Sequence, residues 1–125
     1  MAIVALPARG SDIAPIFDVS SRILLVNLHD NGDTKRMDLY VHKLSTADRI
    51  YALSKAGVTT LICSCISADS HKMLKTLGIQ AIWGISGPIE DVISAFVSNH
   101  LEESAFCVLP HKNYHFQCYK HAWVV

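Results

Sequence analysis

Apolar positions in this chain change period several times, and each change marks an element. Residues 2–6 form an unbroken apolar run closed by Pro7 and Gly10. That pattern predicts a short buried strand followed by a loop through Ser11 and Asp12. Arg22–Leu28 and Arg36–Val41 are two further strand-like runs separated by Asp30-Asn31-Gly32-Asp33, and the Asn-Gly pair between them predicts a hairpin of antiparallel neighbours. From Ser45 the period lengthens. Ser45 or Thr46 can cap a helix over residues 46–56, with Ala47, Ile50, Tyr51 and Leu53 on its apolar face and Gly57 as its stop. Val58–Cys63 is β-branched and largely apolar, the signature of a central strand buried on both faces.

Ser67 is placed to cap a second helix carrying Met73, Leu74 and Leu77 and ending before Gly78, and residues 79–84 read as another strand. After Gly87-Pro88, the positions Ile89, Val92, Ile93, Phe96 and Val97 repeat at helical spacing, and this last helix is expected to end near Asn99. The order predicts an α/β domain over residues 1–101: a mixed five-stranded sheet, parallel among strands one, four and five, with helices on its faces. Residues 102–125 differ in composition and are set apart as a Cys/His/aromatic extension.

Half of the chain is hydrophobic and 18% is charged, a balance that folds unaided. The basic and acidic side chains cancel, so no strong field draws in nucleic acid or an anionic membrane. No apolar run approaches the roughly 20 residues that cross a bilayer. The opening segment reads as a strand and not as a leader, so a cytoplasmic location is expected. There Cys63, Cys65, Cys107 and Cys118 are expected to be thiols or ligands and not disulfides.

The best-placed chemistry is Cys63-Ser64-Cys65, where a parallel strand gives way to a helix, the usual position of ligand sites in such sheets. Cys63 reads mainly as core and Cys65 as the functional thiol. Ser67 caps the helix, and His71 lies one turn in, on a solvated face or at the edge of the site. Gly84, Gly87 and Pro88 form a loop beside the same strand ends and can offer backbone donors. The extension gathers Cys107, His111, His115, Cys118 and His121 within fifteen residues. This donor set suits a transition metal, although the spacing matches no zinc-finger pattern. Its aromatic and β-branched residues equally suit docking or pairing as a homodimer. The aspartates Asp12, Asp18, Asp30, Asp33 and Asp38 fall mainly in loops or at turns and none lies in the first strand, so no convergent acids point to catalysis.

Residues 1 to about 101 resemble the dinitrogenase iron-molybdenum cofactor family. The likeness rests on the opening MAIVALP, on DIAPIFDVSSRILLV, and on AGVTTLICSCISADSHKMLKTLGIQAIWGISGPIEDVISAFVSNHL. It implies a ribonuclease H-like α/β core that binds an iron-molybdenum cofactor, its precursor or another metal–sulfur cluster without turnover. It also implies an accessory role in nitrogen fixation, with a cluster donor or acceptor protein as partner. Where the family carries Pro-His-Phe-Gly-Arg, this chain has Pro15-Ile16-Phe17-Asp18-Val19, keeping Pro15 and Phe17. Ser64, Cys65 and Ser67 replace glycines common in the next loop. The cofactor-binding set expected from position and resemblance together is Phe17, Ser64, Cys65, Ser67 and Gly84. The alternative is a diverged interaction module that has lost the cofactor and self-associates through its tail.

Overall fold

The computed structural model describes residues 2–29, 34–98 and 101. The chain runs β1 (Ala2–Arg9), β2 (Asp12–Ile13), a 3-10 turn (Phe17–Val19), β3 (Arg22–Leu28), β4 (Thr34–Tyr40), α1 (Thr46–Lys55), β5 (Thr60–Ile62), α2 (Ala68–Thr76), β6 (Gln80–Ile82) and α3 (Ile89–Val97). The sheet is ordered β4-β3-β1-β5-β6, with β2 beside β1. β3 pairs antiparallel with both β1 and β4, while β1–β5 and β5–β6 are parallel. This is the mixed α/β sheet that the strand order predicts. Among the described residues no helix is long and apolar enough to cross a membrane.

Alternation along the strands sorts the core into two layers. Val4, Leu6, Leu24, Val26 and Ile62 face α3 and meet Ile89, Val92 and Ile93. Ala5, Ile23, Leu25, Leu61 and Cys63 face the opposite way and meet Ile50 and Leu53 of α1 and Leu74 of α2. Ser45 caps α1 by accepting from the Asp48 amide at 3.1 Å, and Ser67 caps α2 by accepting from the Ser70 amide at 3.0 Å, each satisfying a donor that the helix leaves unpaired.

Several expectations are corrected. The sheet has six strands and not five, because the chain reverses at Gly10 (φ 63°) and lays Asp12–Ile13 back against Ala8 and Arg9. The first strand does not stop at Pro7. The Ile3 carbonyl accepts from the Thr59 amide, so residues 3, 5 and 7 turn their polar groups toward β5. The N–H that Pro7 lacks would have pointed there. The ladder to β5 ends at Ala5–Leu61, while the ladder to β3 continues through Pro7–Ile23. β5 is accordingly shorter than the run Val58–Cys63. On α1, Tyr51 is 56% exposed and Arg49 is buried. On α3, Val97 is 62% exposed and Ala95 is packed in.

Candidate functional site

Between β1 and β5 the chain connections diverge, one leading back to β3 and the other on to β6, and open sheets bind ligands outside the strand ends at such a point. The parallel ladder ends at Ala5–Leu61, and Pro7, the next residue facing that side, has no N–H to extend it. The segment after β2 crosses this gap and is tied to both neighbouring loops. Pro7 accepts from the Ala14 amide at 2.8 Å, Pro15 accepts from Cys65 at 3.0 Å, and Cys65 accepts from Phe17 at 2.9 Å. Farther along, Gly87 accepts from Ile13 at 3.0 Å and Ser11 from Ile89 at 2.8 Å. The loops after β5 and β6 are joined by the Gly84 amide, which donates to Ser64 at 2.8 Å. Gly84 has φ 81°, the left-handed region that a side chain disfavours. Alongside lies a cavity of about 200 Å³ walled by Ala8, Arg9, Ala14, Pro15, Ile16 and Val19.

Cys65 is half-buried and forms a parallel bridge with Ile16, which sets it beside a wall residue of that cavity. Cys63 is sealed in the core. Burial pushes its thiol pKa strongly up, with the negative charges of Asp18 and Cys65 adding to the shift. A thiol held neutral is a poor metal ligand, so the core reading of Cys63 fits. Phe17 is also fully buried among core side chains and contributes packing plus a backbone bond to the crevice. Ser64 is buried at the β5–β6 junction. His71 is half-buried in the first turn of α2, and burial, then the Lys75 charge, lowers its pKa. Residues 107, 111, 115, 118 and 121, with the proposed tail metal site, lie outside the described residues.

Beside the crevice lies a buried polar cluster centred on Asp18, a residue that the sequence pattern places in a loop. The Asp18 carboxylate is buried and accepts from the Ser67 amide at 3.1 Å, the Ser67 hydroxyl at 2.8 Å and the Ser70 hydroxyl at 2.6 Å. It sits on the N-terminus of α2, where the helix dipole favours a negative charge. Ser67 thus serves as cap and latch at once. Arg49, also buried, donates to the carbonyls of Asp18 at 2.7 Å, Ser20 at 3.2 Å and Val41 at 3.1 Å. Burial lowers the Arg49 pKa and the Asp18 charge works against that shift. Together these groups clamp the 3-10 turn against α1 and α2 and so hold Pro15–Phe17 in place over the strand ends. One signal in the sequence pointed to Arg49: it lies four residues before Leu53, on the apolar stripe. Nothing local pointed to Asp18, whose partners are 49 and 52 residues away.

Among the described residues no three His, Cys, Asp or Glu side chains converge to hold a metal ion. A bare metal with an all-protein ligand shell does not fit here. What stands at the crevice is one half-buried cysteine, Cys65, and the Arg9 side chain beside apolar walls.

No family model matches this chain. No curated protein matches it either. Solved structures do. The protein PH0822 is 22% identical with a TM-score of 0.75, over 82% of this chain and 95% of that one. A dinitrogenase candidate from Methanocaldococcus jannaschii is 19% identical with a TM-score of 0.68, over 83% and 95%. The apo form of the orange protein from Desulfovibrio gigas is 15% identical with a TM-score of 0.63, over 86% and 96%. At these identities the likeness is one of fold, which this chain shares with these structures.

Proposed function

We propose that this domain is a noncatalytic binding or carrier protein for a metal–sulfur cluster or related metal group, seated at the crevice between β1 and β5. Cys65 is its thiolate ligand. The observation that supports this reading is the Cys65–Ile16 bridge, which ties half-buried Cys65, just after β5, to a wall residue of a cavity of about 200 Å³. A cluster supplies its own inorganic sulfide, so one protein thiolate and the charge of Arg9, beside the apolar walls of the cavity, can hold it. The Asp18–Ser67–Ser70 latch positions the loop and does not touch the group. A carrier must release what it holds, and a single protein ligand favours transfer to an acceptor protein. The fold shared with a dinitrogenase candidate and with a protein solved in its apo form supports the reading.

A second reading, an interaction module without cofactor, draws on Ile16 and Asp18. These stand where the resembled family has histidine and glycine, and Asp18 is wholly engaged in the latch. Metal content separates the two. Protein purified without oxygen is expected to be coloured and to carry stoichiometric iron or molybdenum, and Cys65→Ser is expected to lose both while folding normally. Colourless protein that takes up no metal or cluster on reconstitution would favour the interaction module.

A further inference from the structure

β4 forms one edge of the sheet, and its residues are exposed on both faces: Met37 is 57% and Tyr40 67% accessible. The phase of its backbone is fixed by the Val41 amide, which donates to Ser21 at 2.8 Å. Since hydrogen-bonded pairs alternate in an antiparallel ladder, Lys35, Met37, Leu39 and Val41 turn their N–H and C=O groups toward β3. Thr34, Arg36, Asp38 and Tyr40 turn theirs outward, where no described strand pairs with them. A row of unpaired donors and acceptors this long is a template for another strand.

We propose that this edge joins two copies of the chain through antiparallel β4–β4 pairing, with the two-fold axis at Met37. In this register Thr34 meets Tyr40 of the second copy and Arg36 meets Asp38, so outward-pointing groups bond to outward-pointing groups along the whole strand. Charge selects the same register. Centring the pair on Arg36 or on Asp38 instead would set like charges face to face and shorten the overlap, whereas the Met37 register places opposite charges across the interface twice. Both side chains are already held on the α3 side of the sheet. Asp38 accepts from Arg22 at 2.9 Å, and Arg36 makes a two-pronged bond to Glu90. The second copy extends these into one row, Arg22–Asp38 to Arg36–Glu90. On the opposite face the two Met37 side chains meet at the axis as a non-hydrogen-bonded pair, the closer type. They lie beside a cavity of about 170 Å³ lined by Ile3, Leu25, Met37 and Ala56.

Sedimentation velocity of the full chain tests the pairing. The wild type is expected to be a dimer at tens of micromolar. Asp38→Arg is expected to weaken it at least tenfold, Arg36→Asp likewise, and the double swap Arg36→Asp with Asp38→Arg to recover part of the loss, since Arg22 and Glu90 then face like charges in their own copy, with circular dichroism confirming the fold in each. Register is read by crosslinking: Met37→Cys is expected to give a covalent dimer under mild oxidation beyond any wild-type background, since facing Cα atoms at such a pair lie within disulfide reach. Leu39→Cys, displaced from its own copy across the axis, is expected not to. A monomeric wild type, or a dimer that ignores Asp38→Arg and yields no Met37→Cys crosslink, would overturn the proposal.

Discussion

On the α3 side of the sheet the buried cluster is aliphatic, built from Val4, Leu6, Leu24, Val26 and Ile62 against Ile85, Ile89 and Val92. On the other side a similar aliphatic layer is joined by Phe17 and by four buried polar residues, Asp18, Arg49, Ser67 and Ser70, that bond to one another or to nearby carbonyls. The two faces use different means for different ends. The α3 side needs only to exclude water, which volume and shape accomplish. The other side must hold an irregular segment, Pro15–Ser20, in one conformation over the strand ends. Apolar packing alone does not specify a loop, whereas directional bonds whose loss is costly do.

The largest effect expected from this contrast is at Arg49. Arg49→Ala strands three buried carbonyls, at about 1–3 kcal/mol for each group left unsatisfied. Ile62→Val on the aliphatic side should cost only about 0.5–1.5 kcal/mol. Urea denaturation of the two variants compares them directly, and equal losses would break the contrast. Next comes the latch. Asp18→Asn keeps the shape but sets an amide N–H₂ against donors, with an expected loss of about 1–3 kcal/mol. In a double-mutant cycle with Ser70→Ala the coupling should be about 0.5–3 kcal/mol. Additive losses would mean that the carboxylate and Ser70 act independently.

A smaller, pH-dependent effect belongs to Cys63. The unfolded chain releases its thiol proton near the ordinary value of 9.0, whereas the buried thiol keeps it. Above that pH the unfolded state binds fewer protons than the folded one, so stability falls as pH rises, by up to about 1.4 kcal/mol per unit. Denaturation midpoints between about pH 8 and 10 should show this slope in the wild type and a shallower one in Cys63→Ala. The smallest effect is at Glu90. Its pKa is lowered by the hydrogen bond from Arg36, but the pair is exposed, and Glu90→Gln should cost no more than about 1 kcal/mol.

How much of this could be read from the sequence follows from the same contrast. The α3 helix was visible because Ile89, Val92 and Ile93 repeat at the period that buries one stripe, and the β3–β4 pair because two alternating runs flank Asn31-Gly32. Such signals are local. The strand through Pro7 was hidden because the cost of a missing N–H depends on which neighbour it would have faced. The exposure of Tyr51 is hidden because Arg49 takes the buried place on that helix, and a charge is placed there by three carbonyls from two other parts of the chain, the turn at Asp18–Ser20 and Val41. At the site, position was legible: Cys65 after a central strand, Ser67 as a cap, Gly84 in the neighbouring loop. Phe17 is expected in the cofactor-binding set, and the structure buries its side chain in the core. The Asp18 latch joins residues too far apart in sequence to leave a pattern.

The central claim is that the crevice at Cys65 holds the bound group. Alkylation mapped residue by residue by mass spectrometry, on anaerobically isolated protein before and after stripping with chelator, tests it most directly. The account predicts that Cys65 is protected as isolated and reacts once stripped, while Cys63, buried and neutral, stays silent in both until the chain unfolds. Equal reactivity of Cys65 before and after stripping would contradict it.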